Sequence, residues 1–387
     1  MLAILAPGQG AQKQGFLSGW LTRDGVRERL ESWRDSAGID LVAAGTEMSD
    51  TDITDTAIAQ PLIVAASLAT AELLPALPTD TIFAGHSVGE FAAAALAGSL
   101  SADAALRLVA ARGAAMASAS AAAPSGMVAI LGGEPEAVVS AITAAGAWLA
   151  NFNARGQLVA AGTNEAIARL TDAAPAGARL RPLAVAGAFH TELMAPAQEE
   201  IAAAATLVAP APCAGGMLSN SDGTLVHDGP EILRRLVSQV TRPVRWDLCM
   251  QTMAAMGVTA AIELAPAGTL TALLRRDLPD VATVALRDPD DLEAAYALIS
   301  EHTAELTCLP MPWQLVVAPA KGIASLTDPA GSVELAAGDV VLQVSTRTEC
   351  IDVRTDSAGH LVEWLVADGD PVNEGQPLAR IAADGHA

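Results

Sequence analysis

Basic, aromatic and sulfur-bearing residues are scarce in this chain of 387 residues. Aromatic residues make up 3% of it, and 22 Lys and Arg stand against 44 Asp and Glu, for a net charge of −22. Nucleic acids and anionic membranes attract basic surfaces, so neither is expected as a partner. The cysteines are far apart and include no Cys-x-x-Cys pair, which predicts reduced thiols rather than a metal site or a disulfide. They are Cys213, Cys249, Cys308 and Cys350.

Targeting and membrane-spanning signals are also missing. No basic segment precedes the apolar residues Leu2–Ala6, which predicts that the chain carries no secretion signal. Alanine-rich runs such as Phe91–Ala97 are too short and too interrupted to span a bilayer. We therefore expect a cytoplasmic protein, and its length predicts two or three domains.

A Gly-x-Ser-x-Gly segment is the first chemical motif that the chain does contain. Gly85, Ser87 and Gly89 lie between the apolar residues 81–84 and the alanine-rich residues 91–96. The order strand, sharp turn, helix is typical of a nucleophile elbow, where close packing requires glycines and the turn exposes the serine. Ser87 is therefore the candidate nucleophile. An ordinary glycine-lined turn remains the alternative for this motif taken alone.

Two further residues have the chemistry that an acyl-serine enzyme requires. Arg112 stands at the end of a predicted helix, 102–112, and an arginine can hold a carboxylate through two parallel hydrogen bonds. His190 follows the strand-like residues 183–185 and is the natural general base for Ser87. The alternatives are an Arg112 that caps its own helix and a His190 that is satisfied inside the core.

Several motifs follow one another in order along about residues 1–300. They are Pro7-Gly8-Gln9-Gly10-Ala11-Gln12, Gly85-His86-Ser87-Val88-Gly89-Glu90, Arg112-Gly113-x-x-Met116, Asn151-Phe152-Asn153, Gly187-Ala188-Phe189-His190 and Gln239-x-x-x-Pro243-Val244-x-Trp246. Together they resemble the malonyl-CoA:acyl-carrier-protein transacylases, the acyltransferase family of fatty-acid and polyketide synthesis. The resemblance implies an α/β acyltransferase fold, with a large α/β-hydrolase-like parallel-sheet subdomain and a small ferredoxin-like subdomain at about residues 120–187.

The resemblance also implies catalytic roles. Ser87 would attack the thioester carbonyl while His190 takes its proton, and the same pair would serve both half-reactions. The main-chain carbonyl of Gln239 would orient His190. The main-chain N–H groups of Gln9 and Val88 would form the oxyanion hole. Two other polar residues of the motifs, Gln12 and Glu90, are interpreted as bracing loops, with no chemical role.

Four residues are implied to bind the acyl group. Arg112 would hold the free carboxylate of a malonyl group, and Asn153 and Met116 match positions near the acyl pocket. Phe189 is bulky, as in malonyl-selective members, whereas serine is typical of members that accept methylmalonyl. A methyl group changes discrimination by only ~1–3 kcal/mol in an apolar pocket. The expected substrates are a coenzyme A thioester and the phosphopantetheine thiol of an acyl carrier protein, with no permanently bound cofactor.

Three alternatives stay open at this point. The acyl unit could be methylmalonyl or another carboxylated group, because Arg112 recognises the carboxylate alone. A serine thioesterase or hydrolase would share the elbow but would need an acid behind His190 and would have no use for Arg112. An inactive scaffold is disfavoured, because Ser87, His190, Arg112 and Gln9 are all present.

The acidity of the chain bears on carrier docking. Coenzyme A and carrier proteins are themselves acidic, so a docking patch would have to be a local basic island. The alternative is that the arginines are scattered surface charges. The candidates are Arg155, Arg181, Arg242, Arg245, Arg275 and Arg276.

Short apolar strands alternate with alanine-rich helices over the first 300 residues. This alternation predicts a mostly parallel sheet that is covered on both faces. A compact α+β insert is predicted within it. Its expected strands are 126–131, 157–161 and 180–185, and its expected helices are 134–144 and 164–173.

The sequence changes character after about residue 300. Residues 301–312 suit a linker, and residues 313–387 contain short β-rich runs separated by glycines. This last segment resembles the flattened all-β barrel of biotinyl and lipoyl domains, which carry their cofactor on a lysine at a hairpin tip. The matching tip, Thr346–Glu349, has no lysine, and Lys13 and Lys321 are the chain's only lysines. We therefore predict a degenerate module without biotin or lipoate.

Three roles remain open for this β module. It could dock the enzyme to a carrier protein or partner complex, mediate self-association, or cover an apolar face of the acyltransferase. If it is only a binding module, truncation near residue 305 would separate it from the activity.

Overall fold

A computed structural model of the chain describes residues 1–185, 187–213, 215–308, 313–326, 334–346, 348–355 and 358–383. The chain divides into two compact units, Met1–Ala304 and Glu305–Ala387. The predicted linker at 301–312 differs from the structure, because a helix continues to Cys308. No glycine or proline interrupts residues 301–308, so the helix can propagate. Residues 309–312 lie outside the described part of the chain.

Strands and helices alternate along the first unit. The strands are β1 Leu2–Ala6, β2 Ile82–Gly85, β3 Ser125–Gly132, β4 Trp148–Ala154, β5 Gln157–Thr163, β6 Ala178–Pro182, β7 Met217–Leu218, β8 Leu225–Val226, β9 Ala260–Glu263 and β10 Ala282–Ala285. The helices are α1 Val26–Ser32, α2 Arg34–Ala37, α3 Leu41–Thr46, α4 Thr56–Ala71, α5 Gly89–Leu96, α6 Ala102–Ala122, α7 Pro135–Ala144, α8 Asn164–Asp172, α9 Ala195–Ala205, α10 Gly229–Ser238, α11 Trp246–Ala255, α12 Thr269–Asp277 and α13 Leu292–Cys308. Short 3₁₀ helices lie at Trp20–Thr22, Asp52–Thr54, Glu192–Met194, Gln239–Thr241 and Pro289–Asp291.

The large sheet has the strand order β10-β9-β1-β2-β7-β8. All neighbouring pairs are parallel except β7 and β8, so the sheet is mostly parallel, as predicted, with an antiparallel edge. Strand β1 is buried at every position because alternate side chains enter different cores. Leu2 and Ile4 pack into the core on one face, and Ala3 and Leu5 pack into the core on the other. Such two-sided burial is typical of parallel sheets.

A smaller antiparallel sheet has the order β4-β5-β3-β6. Its helices α7 and α8 cover one face, where Val128 and Ile130 of β3 pack against Val138 of α7. The other face carries Met127 and Ala129, which line a cleft beside Ser87. Strand β3 thus contributes to an apolar core on one face of the sheet and to a wall of the candidate site on the other, because successive strand residues point to opposite faces.

Two details of this insert differ from the sequence prediction. Strand β4 was not predicted, because Asn151 and Asn153 interrupt its apolar pattern. Strand β6 covers Ala178–Pro182 rather than 180–185. Pro182 lacks the N–H group that a continuing ladder needs, and β6 is an edge strand, where proline is tolerated.

The second unit consists of antiparallel strands in the part that the structure describes. The strands are β11 Trp313–Val317, β12 Gly322–Leu326, β13 Glu334–Leu335, β14 Val340–Ser345, β15 Cys350–Arg354, β16 Gly359–Trp364, β17 Pro371–Val372 and β18 Pro377–Ala383. They form two sheets with the orders β11-β18-β16-β13 and β15-β14-β12-β17. An apolar core that includes Leu342, Val344 and Leu378 holds them together.

The hairpin β14–β15 ends in the tip that the sequence singled out. The hydroxyl Oγ1 of Thr346 accepts hydrogen bonds from the main-chain N–H groups of Thr348 and Glu349, at 3.3 and 3.1 Å. Arg347 lies outside the described residues. These contacts are local to the turn.

Within the described residues, no helix combines the length and the apolar character that crossing a membrane requires.

Candidate active site

Ser87 lies on a tight turn between β2 and α5, and this turn requires glycine at positions 85 and 89. A side chain on Gly85 would collide with the main chain of Gly89, and a side chain on Gly89 would collide with the carbonyl of Ala6 on β1. Both glycines are therefore required by close packing, as the motif predicted. Ser87 has φ 52°, in the left-handed region that non-glycine residues seldom occupy. The strand-turn-helix geometry is that of a nucleophile elbow.

Asn220 holds this turn and was missed by the sequence analysis. Its Oδ1 accepts a hydrogen bond from the main-chain N–H of Ser87 at 2.7 Å, and its Nδ2 donates to the carbonyl of Gly85 at 2.7 Å. The residue follows β7, the neighbour of β2 in the parallel sheet. A polar side chain just beyond the carboxyl end of a strand is the signal that could have identified it.

Ser87 and His190 form a hydrogen-bonded pair. The ring nitrogen Nε2 of His190 lies 2.8 Å from Oγ of Ser87, and Nδ1 lies 3.0 Å from the main-chain carbonyl of Gln239. A carbonyl can only accept, so Nδ1 carries the proton and Nε2 is free to accept one. Burial and the nearby Arg112 cation lower the pKa of His190 to about 3. The ring is therefore neutral at pH 7, and its Nε2 is free to accept the proton of the Ser87 hydroxyl.

Arg112 lies inside a helix rather than at its end. Helix α6 continues to Ala122, which corrects the predicted end at residue 112 and removes the capping alternative. The reason is that alanine, the best helix former, dominates residues 113–122, so the helix propagates through Gly113. Arg112 is thereby buried, 1% exposed, beside Ser87.

The guanidinium of Arg112 reaches three side chains. Its Nη1 donates to Oε1 of Gln60 at 2.7 Å, and its Nη2 donates to Oε1 of Gln239 at 2.8 Å and to Oγ of Ser87 at 3.2 Å. Burial lowers the pKa of Arg112 to about 9, which leaves the group cationic at pH 7. Nε has no hydrogen-bond partner among the described residues. The site therefore holds one buried cation next to its nucleophile.

Gln60 and Glu90 contact the site and were not assigned to it from the sequence. Gln60 lies on the buried helix α4, which carries no local motif. Glu90 accepts hydrogen bonds from the main-chain N–H of Asn220, at 2.7 Å, and from Nε2 of Gln239. Burial raises the pKa of Glu90 to about 7. Glu90 is thus more than a loop brace, because it joins the elbow to Gln239.

Gln9 and Val88 present main-chain amides beside Ser87. Both residues line the cleft, and the described residues offer no acceptor for either N–H group. The side chain of Gln9 is held by the carbonyl of Thr54 at 3.0 Å. Gln12 accepts from the N–H of Gly10 at 2.8 Å, as expected of a residue that braces this loop. Two unpaired N–H groups next to a nucleophile can receive an oxyanion.

A cleft of about 240 Å³ opens in front of Ser87. All four residues predicted to bind the acyl group line it: Arg112, Met116, Asn153 and Phe189. Asn153 lies 2.9 Å from Nε2 of His86 through its Oδ1, which fixes its amide. Gln239 stands behind the cleft, where it contacts His190 and Arg112. The apolar part of the lining consists of Met127, Ala129, Val159, Leu183, Val185, Leu270 and Leu273.

The arginines proposed for docking fall into different environments. Arg245 forms an ion pair with Asp247 at 2.8 Å, so its charge already has a partner within the chain. Arg275 and Arg276 make hydrogen bonds to Thr283 and Gln157. Arg245 is half-buried, and the other five candidates, Arg155, Arg181, Arg242, Arg275 and Arg276, are exposed.

No group of three or more His, Cys, Asp or Glu side chains is arranged to hold a metal ion in the described part of the chain.

The fold and the site together define a class: α/β enzymes that transfer acyl groups through an activated serine. The chain belongs to the family described as Acyl transferase domain, whose match covers residues 5–304. This confirms the family that the ordered motifs indicated. The match ends where the first compact unit ends.

Relatives and solved structures agree with this assignment. A protein of Mycobacterium tuberculosis named "Malonyl CoA-acyl carrier protein transacylase" is 48% identical over 297 residues, which cover 76% of this chain and 98% of that protein. The crystal structure of MCAT from Mycobacterium tuberculosis matches with a TM-score of 0.73 at 46% identity, covering 76% of this chain and 99% of that one. A malonyl-transacylase in complex with a type II PKS acyl-carrier protein matches with a TM-score of 0.73 at 31% identity, covering 77% and 99%.

Proposed function

We propose that the chain transfers a malonyl group from coenzyme A to the phosphopantetheine thiol of an acyl carrier protein through a covalent acyl-Ser87. The observation that carries this proposal is the buried Arg112 cation, 3.2 Å from the nucleophile Oγ. A neutral acyl group would leave that charge unused, whereas a malonyl carboxylate can pair with it. The names of the relatives support the same substrates.

The first half-reaction forms the acyl-enzyme. Oγ of Ser87 attacks the thioester carbonyl as Nε2 of His190 takes the hydroxyl proton. The negative charge on the carbonyl oxygen is received by the N–H groups of Gln9 and Val88. The C–S bond then breaks, and His190 returns the proton to the departing thiolate. The products are acyl-Ser87 and free coenzyme A.

The second half-reaction runs the same steps with a new thiol. His190 takes the proton of the carrier thiol, the thiolate attacks the ester carbonyl, and the C–O bond breaks as Ser87 recovers the proton. The serine ester must survive until the carrier arrives. The apolar cleft wall and a carboxylate held by Arg112 both keep water from the ester.

Malonyl is the acyl group that we favour over methylmalonyl. The bulky ring of Phe189 lines the cleft directly before His190 and leaves less room for a branch at the second carbon. A hydrolase on the same fold is disfavoured, because the partner of His190 Nδ1 is the carbonyl of Gln239 rather than a carboxylate.

The finer architecture is part of the proposal. The small sheet, with helices α7 and α8 between its strands, has the strand order expected of a ferredoxin-like subdomain at about 120–187. The two antiparallel sheets of the second unit support a biotinyl/lipoyl-like module, whose tip lacks the attachment lysine. We propose no permanent cofactor for either unit. The exposed arginines Arg155, Arg181, Arg242, Arg275 and Arg276 remain our candidates for carrier docking, and partner binding remains our candidate role for the module. The buried free thiols of Cys213 and Cys249 support a cytoplasmic protein.

Intact-protein mass spectrometry tests the function. The chain is mixed with malonyl-, methylmalonyl- or acetyl-CoA, as wild type and as Ser87→Ala, Arg112→Ala and Arg107→Ala variants. Arg107 lies on the same helix as Arg112 but is exposed, which makes it the matched control. We expect a malonyl adduct in the wild type and in Arg107→Ala, none in Ser87→Ala, and a shift toward acetyl in Arg112→Ala. No adduct from any donor, or an adduct that survives Ser87→Ala, would overturn the proposal.

A further inference from the structure

A buried carboxylate, an amide and a guanidinium follow one another behind the nucleophile. Glu90 accepts from Nε2 of Gln239, and Oε1 of Gln239 accepts from Nη2 of Arg112 at 2.8 Å. All three side chains are at least nine-tenths buried, with 1%, 5% and 1% of their surface exposed. Water therefore cannot replace these hydrogen bonds, so each donor in the chain must face an acceptor of the next side chain.

The chain of bonds has a direction, which the ionised form of Glu90 and the main-chain carbonyl of Ser87 impose together. A carboxylate can only accept hydrogen bonds, so it forces the NH₂ group of Gln239 to face it. The same NH₂ group donates to the main-chain carbonyl of Ser87 at 2.9 Å. The amide oxygen of Gln239 is then left to face Arg112. If the amide turned over, its NH₂ group would meet the N–H groups of Arg112, donor against donor.

The other oxygen of Glu90 is fixed as well. Oε1 accepts from the main-chain N–H of Asn220, and Asn220 in turn holds the main-chain N–H of Ser87. The carboxylate is thus tied on one side to the nucleophile elbow and on the other to Gln239. Its position is therefore determined before any substrate binds.

We propose that Glu90 is a positioning residue that selects carboxylated acyl groups, by fixing the amide of Gln239 so that Arg112 faces the acyl pocket. This inference rests on the proposed malonyl transfer and extends it beyond Arg112. Glu90 touches neither substrate nor reacting atoms. It acts through Gln239, whose main-chain carbonyl also orients His190.

The test begins with Glu90→Gln, which keeps size and shape but adds a donor where the carboxylate had none. The new amide at position 90 lets Gln239 turn over, and Arg112 loses its acceptor. Acylation rates are measured with malonyl-CoA and acetyl-CoA for wild type and variant. We expect kcat/KM for malonyl-CoA to fall about tenfold or more, mainly through KM, because an unsatisfied buried charge costs that much binding. Acetyl-CoA, which does not need Arg112, should change much less.

The double variant Glu90→Gln with Gln239→Glu supplies a rescue. The donor now stands at position 90 and the carboxylate at position 239, which can accept from both position 90 and Arg112. We expect the malonyl-to-acetyl preference to return toward the wild-type value, although the absolute rate stays lower because the carbonyl of Ser87 has lost its donor. A residue that merely fills space would show no such rescue.

Glu263→Gln is the matched control. Glu263 is equally buried but bonds to the main-chain N–H groups of Leu270 and Thr271, with no contact to Gln239. It should leave the malonyl-to-acetyl ratio unchanged, whatever it does to stability.

The possible results separate the two proposals. A wild-type chain that forms no malonyl adduct overturns the proposed function, and this inference with it. A wild-type adduct together with an unchanged ratio in Glu90→Gln overturns the role of Glu90 alone. If Glu90→Gln lowers the rates with malonyl-CoA and acetyl-CoA equally, the double variant decides. A recovered preference for malonyl-CoA supports the role of Glu90, and equally low rates with both thioesters overturn it.

Discussion

The two units of the chain bury different kinds of residue. The first buries Glu90, Arg112, His190 and Gln239 around one serine, whereas Thr355 is the only buried polar residue in the described part of the second. Burying a polar or charged group costs stability unless it is fully bonded. The first unit therefore carries nearly all of this costly burial, and one cluster of it lies beside Ser87, where the chemistry is proposed. The second unit follows the simpler rule of an apolar core.

The largest difference between the two units should appear in the acylation rate when a histidine is removed from each. His190→Ala removes the base beside Ser87 and should lower the acylation rate by about 10²–10⁴-fold, the usual contribution of a positioned general base. His360→Ala makes the same chemical change in the exposed strand β16 of the second unit and should leave the rate unchanged. Stopped-flow measurement of coenzyme A release compares them. Similar rates for both variants would contradict the assigned role of His190.

A core substitution should break the second unit without touching the first. Leu378 is completely buried in the β module, so Leu378→Ala should lower the unfolding free energy of that unit by about 2–5 kcal/mol. Thermal unfolding monitored by circular dichroism and calorimetry measures the loss. We expect the malonyl adduct to form at the wild-type rate. A parallel loss of acylation would show that the module supports the enzyme.

The pH dependence of the malonyl-to-acetyl rate ratio should arise from Glu90 rather than from His190. Burial raises the pKa of Glu90 from its ordinary range to about 7, while its neighbours Arg112, on α6, and Arg235, on α10, oppose the shift. The carboxylate that orients Gln239 is therefore present above pH 7 and is lost as the pH falls through it. The malonyl-to-acetyl ratio should drop, by up to about tenfold between pH 8 and pH 6.

Two controls accompany that profile. The pKa of His190, lowered to about 3 by burial, keeps the base neutral over the same range, so acetyl transfer should stay nearly flat. Glu90→Gln should make the ratio independent of pH. A wild-type ratio that does not move between pH 8 and pH 6, or rates for both donors that fall together, would refute this assignment.

Removing the second unit should have the smallest effect. The family match ends at residue 304 and spans nearly the whole length of the relatives. A chain that stops after residue 304 should therefore acylate Ser87 within about twofold of the full chain, since no residue of the site is lost. Transfer to a carrier protein, measured by gel shift of the acyl carrier, completes the comparison. A large loss in the second assay alone would assign carrier docking to the β module.

The sequence predicted the parts of the site that local rules determine. Ser87 was recognisable because close packing at the elbow requires glycines on either side of it. Arg112 and His190 were recognisable through spacing and ordered motifs. Gln60 was not, because it lies on a buried helix whose sequence differs little from any apolar helix. Its contact with Arg112 depends on how α4 packs against α6, which no local pattern encodes.

The fold shows the same division between local and tertiary information. The alternation of strands and helices predicted the large parallel sheet. Strand β4 was not predicted, because Asn151 and Asn153 line the cleft and interrupt the apolar pattern that is typical of a strand. The end of α6 was misplaced because Gly113 suggests a stop, although the alanine-rich residues that follow let the helix continue. Polar residues that line the site thus obscured strand β4, and a single glycine obscured the end of α6.

The backbone at the two reacting residues has a consequence for what the fold must hold in place. Ser87 and His190 have φ 52° and 62°, and no other described non-glycine residue has a positive φ. Glycine would adopt these angles without strain, whereas a side chain at each of these positions costs about 1–3 kcal/mol of backbone strain that the surrounding structure has to offset. The two residues that react are therefore the two that the fold has to hold in a backbone conformation that they disfavour.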